Sequence, residues 1–92
     1  MKTKMVNKIS LNDFLTNAID IKVMIILRLR GKMGIYNISP ISQDENLFVS
    51  YMSVYNSIKR LEKRGLIKRN GTLVSLCDTS INKYLDTLIN LR

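Results

Sequence analysis

Apolar residues between Ser50 and Arg64 recur at helical spacing: Val54, Ile58 and Leu61 share one narrow arc, with Tyr51 at its edge. The opposite arc carries Met52, Ser53, Asn56, Lys59, Arg60 and Lys63. This spacing predicts a helix over about 50–64, opened by Ser50 as N-cap and stopped by Gly65, which adopts the left-handed conformation without strain. At Ile67 the period changes to two. Ile67, Val74 and Leu76 fall on one face of a hairpin over about 66–77. Asn70-Gly71 at its tip predicts a type I′ turn that sets Ile67 opposite Val74. Lys68 then projects from the other face and Arg69 stands beside the tip.

Upstream, Ser10-x-x-Asp13 resembles a capping box, and Leu11, Phe14, Leu15, Ala18 and Ile19 continue at helical spacing. Asp20 either caps a second helix or lies inside a longer first one. From Ile21 to Leu29 apolar residues occupy nearly every face, a pattern shared by a buried helix and a buried strand. Arg28, Arg30 and Lys32 follow, where cations suit a helix C-terminus. Ile35 to Ile38 fits a short strand or the start of a helix. Pro40 suits a first helical turn, so Ser39 is the expected N-cap of a helix reaching about Glu45. Asn46-Leu47-Phe48 then forms a turn with Leu47 and Phe48 buried. After the hairpin, Asp78-Thr79-Ser80 offers caps for a helix over about 80–91. Its wide apolar face includes Tyr84, Leu85, Leu88 and Leu91. Together with Leu11, Phe14, Leu15 and Ala18, that face exceeds what a small core needs and predicts an interface between two copies.

The 92 residues imply one domain over 10–92, preceded by a flexible basic arm over 1–9 that contains Lys2, Lys4 and Lys8. The net charge is +8, from 15 Lys and Arg against 7 Asp and Glu. Residues 59–69 concentrate it, with Lys59, Arg60, Lys63, Arg64, Lys68 and Arg69 against Glu62. Such a segment calls for a polyanionic partner. The absence of His excludes His-based acid–base or triad chemistry, so a binding protein is expected rather than an enzyme. With Cys77 as the one cysteine, no intrachain disulfide can form, no zinc site is expected, and a reducing, cytoplasmic setting fits. Cys77 itself reads as a small buried hydrophobe. No phosphate-cradling Gly-rich loop occurs, and no cofactor or metal is expected. No apolar stretch is long enough to span a membrane or to form a signal peptide, so no membrane partner is expected.

The outer arc of the 50–64 helix has the division of labour that reading double-stranded DNA requires. Short or apolar groups near its start, Met52, Ser53 and Asn56, can reach base edges. Ser50, Lys59, Arg60 and Lys63, with Lys68 and Arg69 of the hairpin, can hold phosphates. Tyr51 packs at the core edge, from which its hydroxyl can also reach a phosphate. Asn70 and Gly71 form the expected hairpin tip.

Tyr55-x-x-Ile58-x-Arg60-Leu61-Glu62-x-x-Gly65-Leu66-Ile67, with Gly34-Ile35-Tyr36-x-Ile38 upstream, resembles PadR-like winged helix-turn-helix regulators over roughly residues 20–80. The resemblance implies a mainly α fold with a small β-hairpin, a winged helix-turn-helix with added N- and C-terminal dimerisation helices. The 50–64 helix would be its recognition helix and the hairpin its wing. The chain departs from the pattern in its short wing and in Ser39-Pro40, which falls where the second helix should be continuous. Small size and an Ile/Asn/Lys-rich composition are similar to DNA-binding proteins of archaeal viruses and plasmids, among them the site-binding protein of a plasmid partition cassette. These likenesses imply a sequence-specific homodimer on double-stranded DNA. Its expected role is transcription regulation or plasmid partition, where spreading on DNA and a further protein of the complex would enter. The alternative is a winged-helix interaction module without DNA binding.

Overall fold

A computed structural model describes residues 17–77 and 82–91. In order they form α1 (Ala18–Arg30), β1 (Met33–Gly34), α2 (Ile35–Asp44), α3 (Tyr51–Lys63), β2 (Ile67–Asn70), β3 (Leu73–Leu76) and α4 (Asn82–Asn90). The described fold is mainly helical with a small three-stranded antiparallel sheet, and is compatible with a winged helix. The expected helix start at Ser10, with Leu11, Phe14 and Leu15, the basic arm and the Asp78–Ser80 caps lie outside the described residues.

The apolar stretch after Asp20 is the central helix. α1 packs against α2, α3, β3 and α4 at once, which explains why it carries apolar residues on most faces. Val23, Met24, Ile25, Ile26 and Leu27 are all buried. The helix starts earlier than Asp20. Asn17 is its N-cap and accepts from the Asp20 amide at 3.1 Å, so Ala18 and Ile19 belong to α1.

α2 departs from the sequence expectation. It begins at Ile35, with Gly34 as N-cap, and Pro40 lies inside it. Ile35, Ile38 and Ser42 form its buried stripe, and that helical period outweighs the proline. The bond that Pro40 cannot donate would have gone to the carbonyl of Tyr36, itself an exposed residue. Ser39 is not a cap. Its hydroxyl donates to the Val49 carbonyl at 2.7 Å. The ambiguous stretch after Gly34 is therefore helix, and the strand is the preceding pair Met33–Gly34.

Between α2 and α3 the chain wraps around Ser42. The Ser42 carbonyl accepts from the amides of Leu47 (2.8 Å) and Phe48 (3.2 Å). Its hydroxyl accepts from the Val49 amide at 2.9 Å and lies 2.6 Å from the Ser39 carbonyl. This tight path puts Asn46 and Phe48 at positive φ, 60° and 52°. It also buries Val49 and turns Phe48 outward at 68% exposure, against the expectation that Phe48 is buried. Leu47, also expected to be buried, packs only partly against the core.

The hairpin has the expected core face in a different register. Ile67 pairs with Leu76 and Arg69 with Val74, so the two-residue loop is Gly71-Thr72 rather than Asn70-Gly71. Gly71 alone has positive φ there (64°), as a type II′ turn requires, whereas type I′ would need it at both loop residues. The shift moves the partners by two, so Ile67, Val74 and Leu76 still face inward. β1 adds a third strand on the far side of β3, with Met33 opposite Val74.

Candidate nucleic-acid interface

α3 is fixed at both ends. Ser50 caps it, accepting from the Ser53 amide at 3.2 Å. At the other end, Gly65 (φ 75°) donates to the Glu62 carbonyl and Leu66 to the Leu61 carbonyl. This is the paired bonding of a Schellman motif, with Leu61 and Leu66 as its apolar contact. Val54, Ile58 and Leu61 anchor the inner face. The outer face presents Met52, Asn56, Lys59 and Lys63 to solvent, with Ser53 half-buried beside them.

Arg60, expected among the phosphate ligands, is turned sideways. Its Nη2 lies 2.7 Å from Asp20 Oδ1 and its Nε 3.3 Å from Oδ2. Ser57 Oγ donates to the same Oδ1 at 2.6 Å. Asp20 is fully buried, and 39% of the Arg60 side chain stays exposed. One edge of the guanidinium is therefore committed to α1. Neither Asp20 nor Ser57 emerged from the sequence as a site residue. Ser57 lies one turn before Leu61, at the border of the core arc, and a buried hydroxyl there needs a partner. That was the available signal.

An aromatic ladder stands at the start of α3. Tyr51 stacks on Tyr36 of α2, with centroids 5.7 Å apart and planes at 9°, and on Tyr55 at 6.3 Å and 27°. Lys59 Nζ lies 5.3 Å from the centre of the Tyr55 ring, over its face. Burial among these rings holds the Tyr51 phenol above its ordinary range, the phenols of Tyr36 and Tyr55 add to this, and Arg69 opposes it. Tyr51 therefore remains a hydroxyl donor beyond neutral pH. Tyr36, Phe48 and Met52, each more than 60% exposed, leave this end of the surface aromatic and apolar.

Lys68, Arg69, Asn70 and Gly71 are all exposed on the hairpin. The structure thus assembles Met52, Ser53, Asn56, Lys59 and Lys63 along one helix face, with Ser50 at its cap and Tyr51 at the edge of the core arc, and packs β2 of the hairpin against the same helix. Of the proposed interface residues at the C-terminus, Leu85 is fully buried in the chain's own core, and Tyr84 and Leu88 pack partly against it. Leu91 is exposed. Arg28 holds α4 to α1 through Asp86, with Nε–Oδ1 at 2.8 Å and Nη2–Oδ2 at 2.9 Å. Cys77 is half-buried, and its amide donates to the Leu66 carbonyl. Among the described residues no helix is long and apolar enough to cross a membrane. No family model, curated protein or solved structure matches the chain.

Proposed function

We propose that the protein is a sequence-specific double-stranded DNA-binding homodimer that inserts the outer face of α3 into the major groove and sets its hairpin on the flanking backbone. The observation that carries this reading is the composition of one continuous surface. Small and apolar groups (Met52, Ser53, Asn56) lie toward the start of α3, Lys59 and Lys63 follow, and β2, which carries Lys68 and Arg69, packs against the same helix. Asn56 can pair bidentately with adenine, and Met52 can meet a thymine methyl. Lys59, Lys63, Lys68 and Arg69 supply charge to phosphates, with Ser50 and Tyr51 as hydroxyl donors. The exposed Leu91 and the half-buried Leu88 and Ile89 of α4, next to exposed Leu29 of α1, support pairing of two copies at that end. Regulation of transcription or marking of a partition site are the roles such binding would serve. The test is a gel shift with competitor DNA on fragments surrounding the protein's own gene. A discrete competitor-resistant band on one fragment is expected. No shift on any fragment at low salt would leave a protein-interaction role instead.

A further inference from the structure

The outer face of the sheet carries Lys68 of the proposed interface and extends beyond it. Met33, Val74 and Ile67 point into the core, so their neighbours along each strand point out. Lys68 pairs with Ser75 across β2 and β3. Lys32, one residue ahead of β1, comes level with Ser75 from the other side, because Met33 pairs with Val74. The outer face therefore has a cross-strand row of Lys32, Ser75 and Lys68. Ordinary strand spacing puts the two lysine Cα atoms about 10 Å apart. The next row holds Gly34, Leu73 and Asn70. A small side chain in the middle strand and none at Gly34 leave a hollow of about 300 Å³, lined by Lys32, Lys68, Arg69, Asn70, Leu73 and Ser75.

Among the described residues, Lys32 and Lys68 face this hollow and no carboxylate lines it, while Arg69, opposite core-facing Val74, borders it from the edge. Among the described residues the Arg28–Asp86, Arg30–Glu45 and Arg60–Asp20 pairs leave Lys32, Lys68 and Arg69 aside. Converging like charges repel unless an anion lies between them. Two ammonium groups on long stems, a central hydroxyl and the Asn70 amide form a donor set suited to one tetrahedral oxyanion. We infer that the hollow is a phosphate site, and that it takes a backbone phosphodiester of the same DNA, outside the stretch met by α3. Continuity favours this occupant, because β2, whose Lys68, Arg69 and Asn70 line the hollow, packs against α3. Lys32, Ser75 and Lys68 thus extend the footprint across the sheet. This assignment rests on the DNA-binding reading above.

The test compares wild type with Lys32→Gln on two duplexes across a salt series: a long one, and one trimmed to the bases protected by α3. Lys32 is exposed, and an unchanged thermal melt checks the fold. On the long duplex Lys32→Gln should lower affinity several-fold, for specific and scrambled sequences alike. The slope of log affinity against log salt should fall by about 0.9, one phosphate's worth. On the trimmed duplex the two proteins should be indistinguishable, and Lys32→Arg should restore the long-duplex slope. An unchanged slope on the long duplex would overturn the site while leaving the α3 reading intact. Absence of salt-dependent binding by wild type would remove both. Saturable submillimolar binding of inorganic phosphate at Ser75 in an amide NMR titration, with the DNA slope unchanged in Lys32→Gln, would reassign the hollow to a free anion.

Discussion

Arg60 of α3 and Asp20 of α1 meet side-on, at 2.7 and 3.3 Å, with Asp20 fully buried and Arg60 open to water on its far edge. The pair joins the helix that would read DNA to the central helix of the core. Its two halves are unequal. Removing Arg60 strands a buried carboxylate with Ser57 alone. Removing the Asp20 charge leaves a guanidinium that water can reach. Arg60→Gln should therefore destabilise by about 3 kcal/mol, the low end for breaking a buried pair. Asp20→Asn should cost about 1 kcal/mol, one imperfect hydrogen bond. Urea unfolding of the two variants measures the difference. Equal costs would mean that the carboxylate is better solvated than its burial indicates.

Phe48 combines a positive φ of 52° with an outward-facing ring. A left-handed conformation costs a non-Gly residue about 1–2 kcal/mol, and Gly returns about 0.5–1 kcal/mol of that as lost chain entropy. Phe48→Gly should then stabilise by about 0.5–1 kcal/mol in urea unfolding. A loss of stability would show that the ring packs more than its exposure suggests. If the exposed ring also meets the ligand, the same variant binds DNA less tightly while being the more stable protein.

The Arg28–Asp86 pair gives α4 a pH dependence. The Arg28 guanidinium, hydrogen-bonded to Asp86, holds its carboxyl below the usual carboxylate range. A depressed folded-state value means stability that is fully present above the unfolded value, roughly 4, and lost as pH falls through the folded one. Melting temperature should fall on acidification below that point, and Asp86→Asn should flatten part of the fall. An identical acid profile for the variant would mean that the pair does not hold α4 in solution.

Much of this architecture was legible because two signals are strong: the helical arc Val54, Ile58, Leu61 with its caps, and the strand alternation after Gly65. Where the sequence misled, packing or hydrogen bonding beyond the local motif decided the outcome. Pro40 reads locally as a helix start, but Ile35, Ile38 and Ser42 bury a stripe that begins five residues earlier. Asn70-Gly71 reads locally as a type I′ turn, but pairing along β3 moves the loop one residue on. Phe48 reads as core until the hydrogen bonds to Ser42 turn the chain. On the candidate site, the polar face of α3 follows from periodicity alone. The diversion of Arg60 does not, since Asp20 is forty residues away. The row of Lys32, Ser75 and Lys68 needs the register of all three strands.

On the proposed reading, Asn56 would discriminate bases. Asn56→Ala should leave non-specific affinity intact and reduce preference for the cognate site by about 1–3 kcal/mol at one base pair. Lys63→Ala should weaken all sequences alike and lower the salt slope by about 0.9. Competition titrations against single-base variants of the site separate these effects, and swapped behaviours would reverse the assigned roles along α3.

The central claim is that α3 and the hairpin bind DNA, and the most direct measurement is wild-type affinity for duplex DNA across a salt series by fluorescence anisotropy. Lys59, Lys63, Lys68 and Arg69 engaging phosphates predict a log–log slope of about −3 to −4 per protomer, near −7 for a dimer. Binding should tighten steeply below physiological salt. No binding at about 50 mM salt, or a slope near zero, would contradict the account.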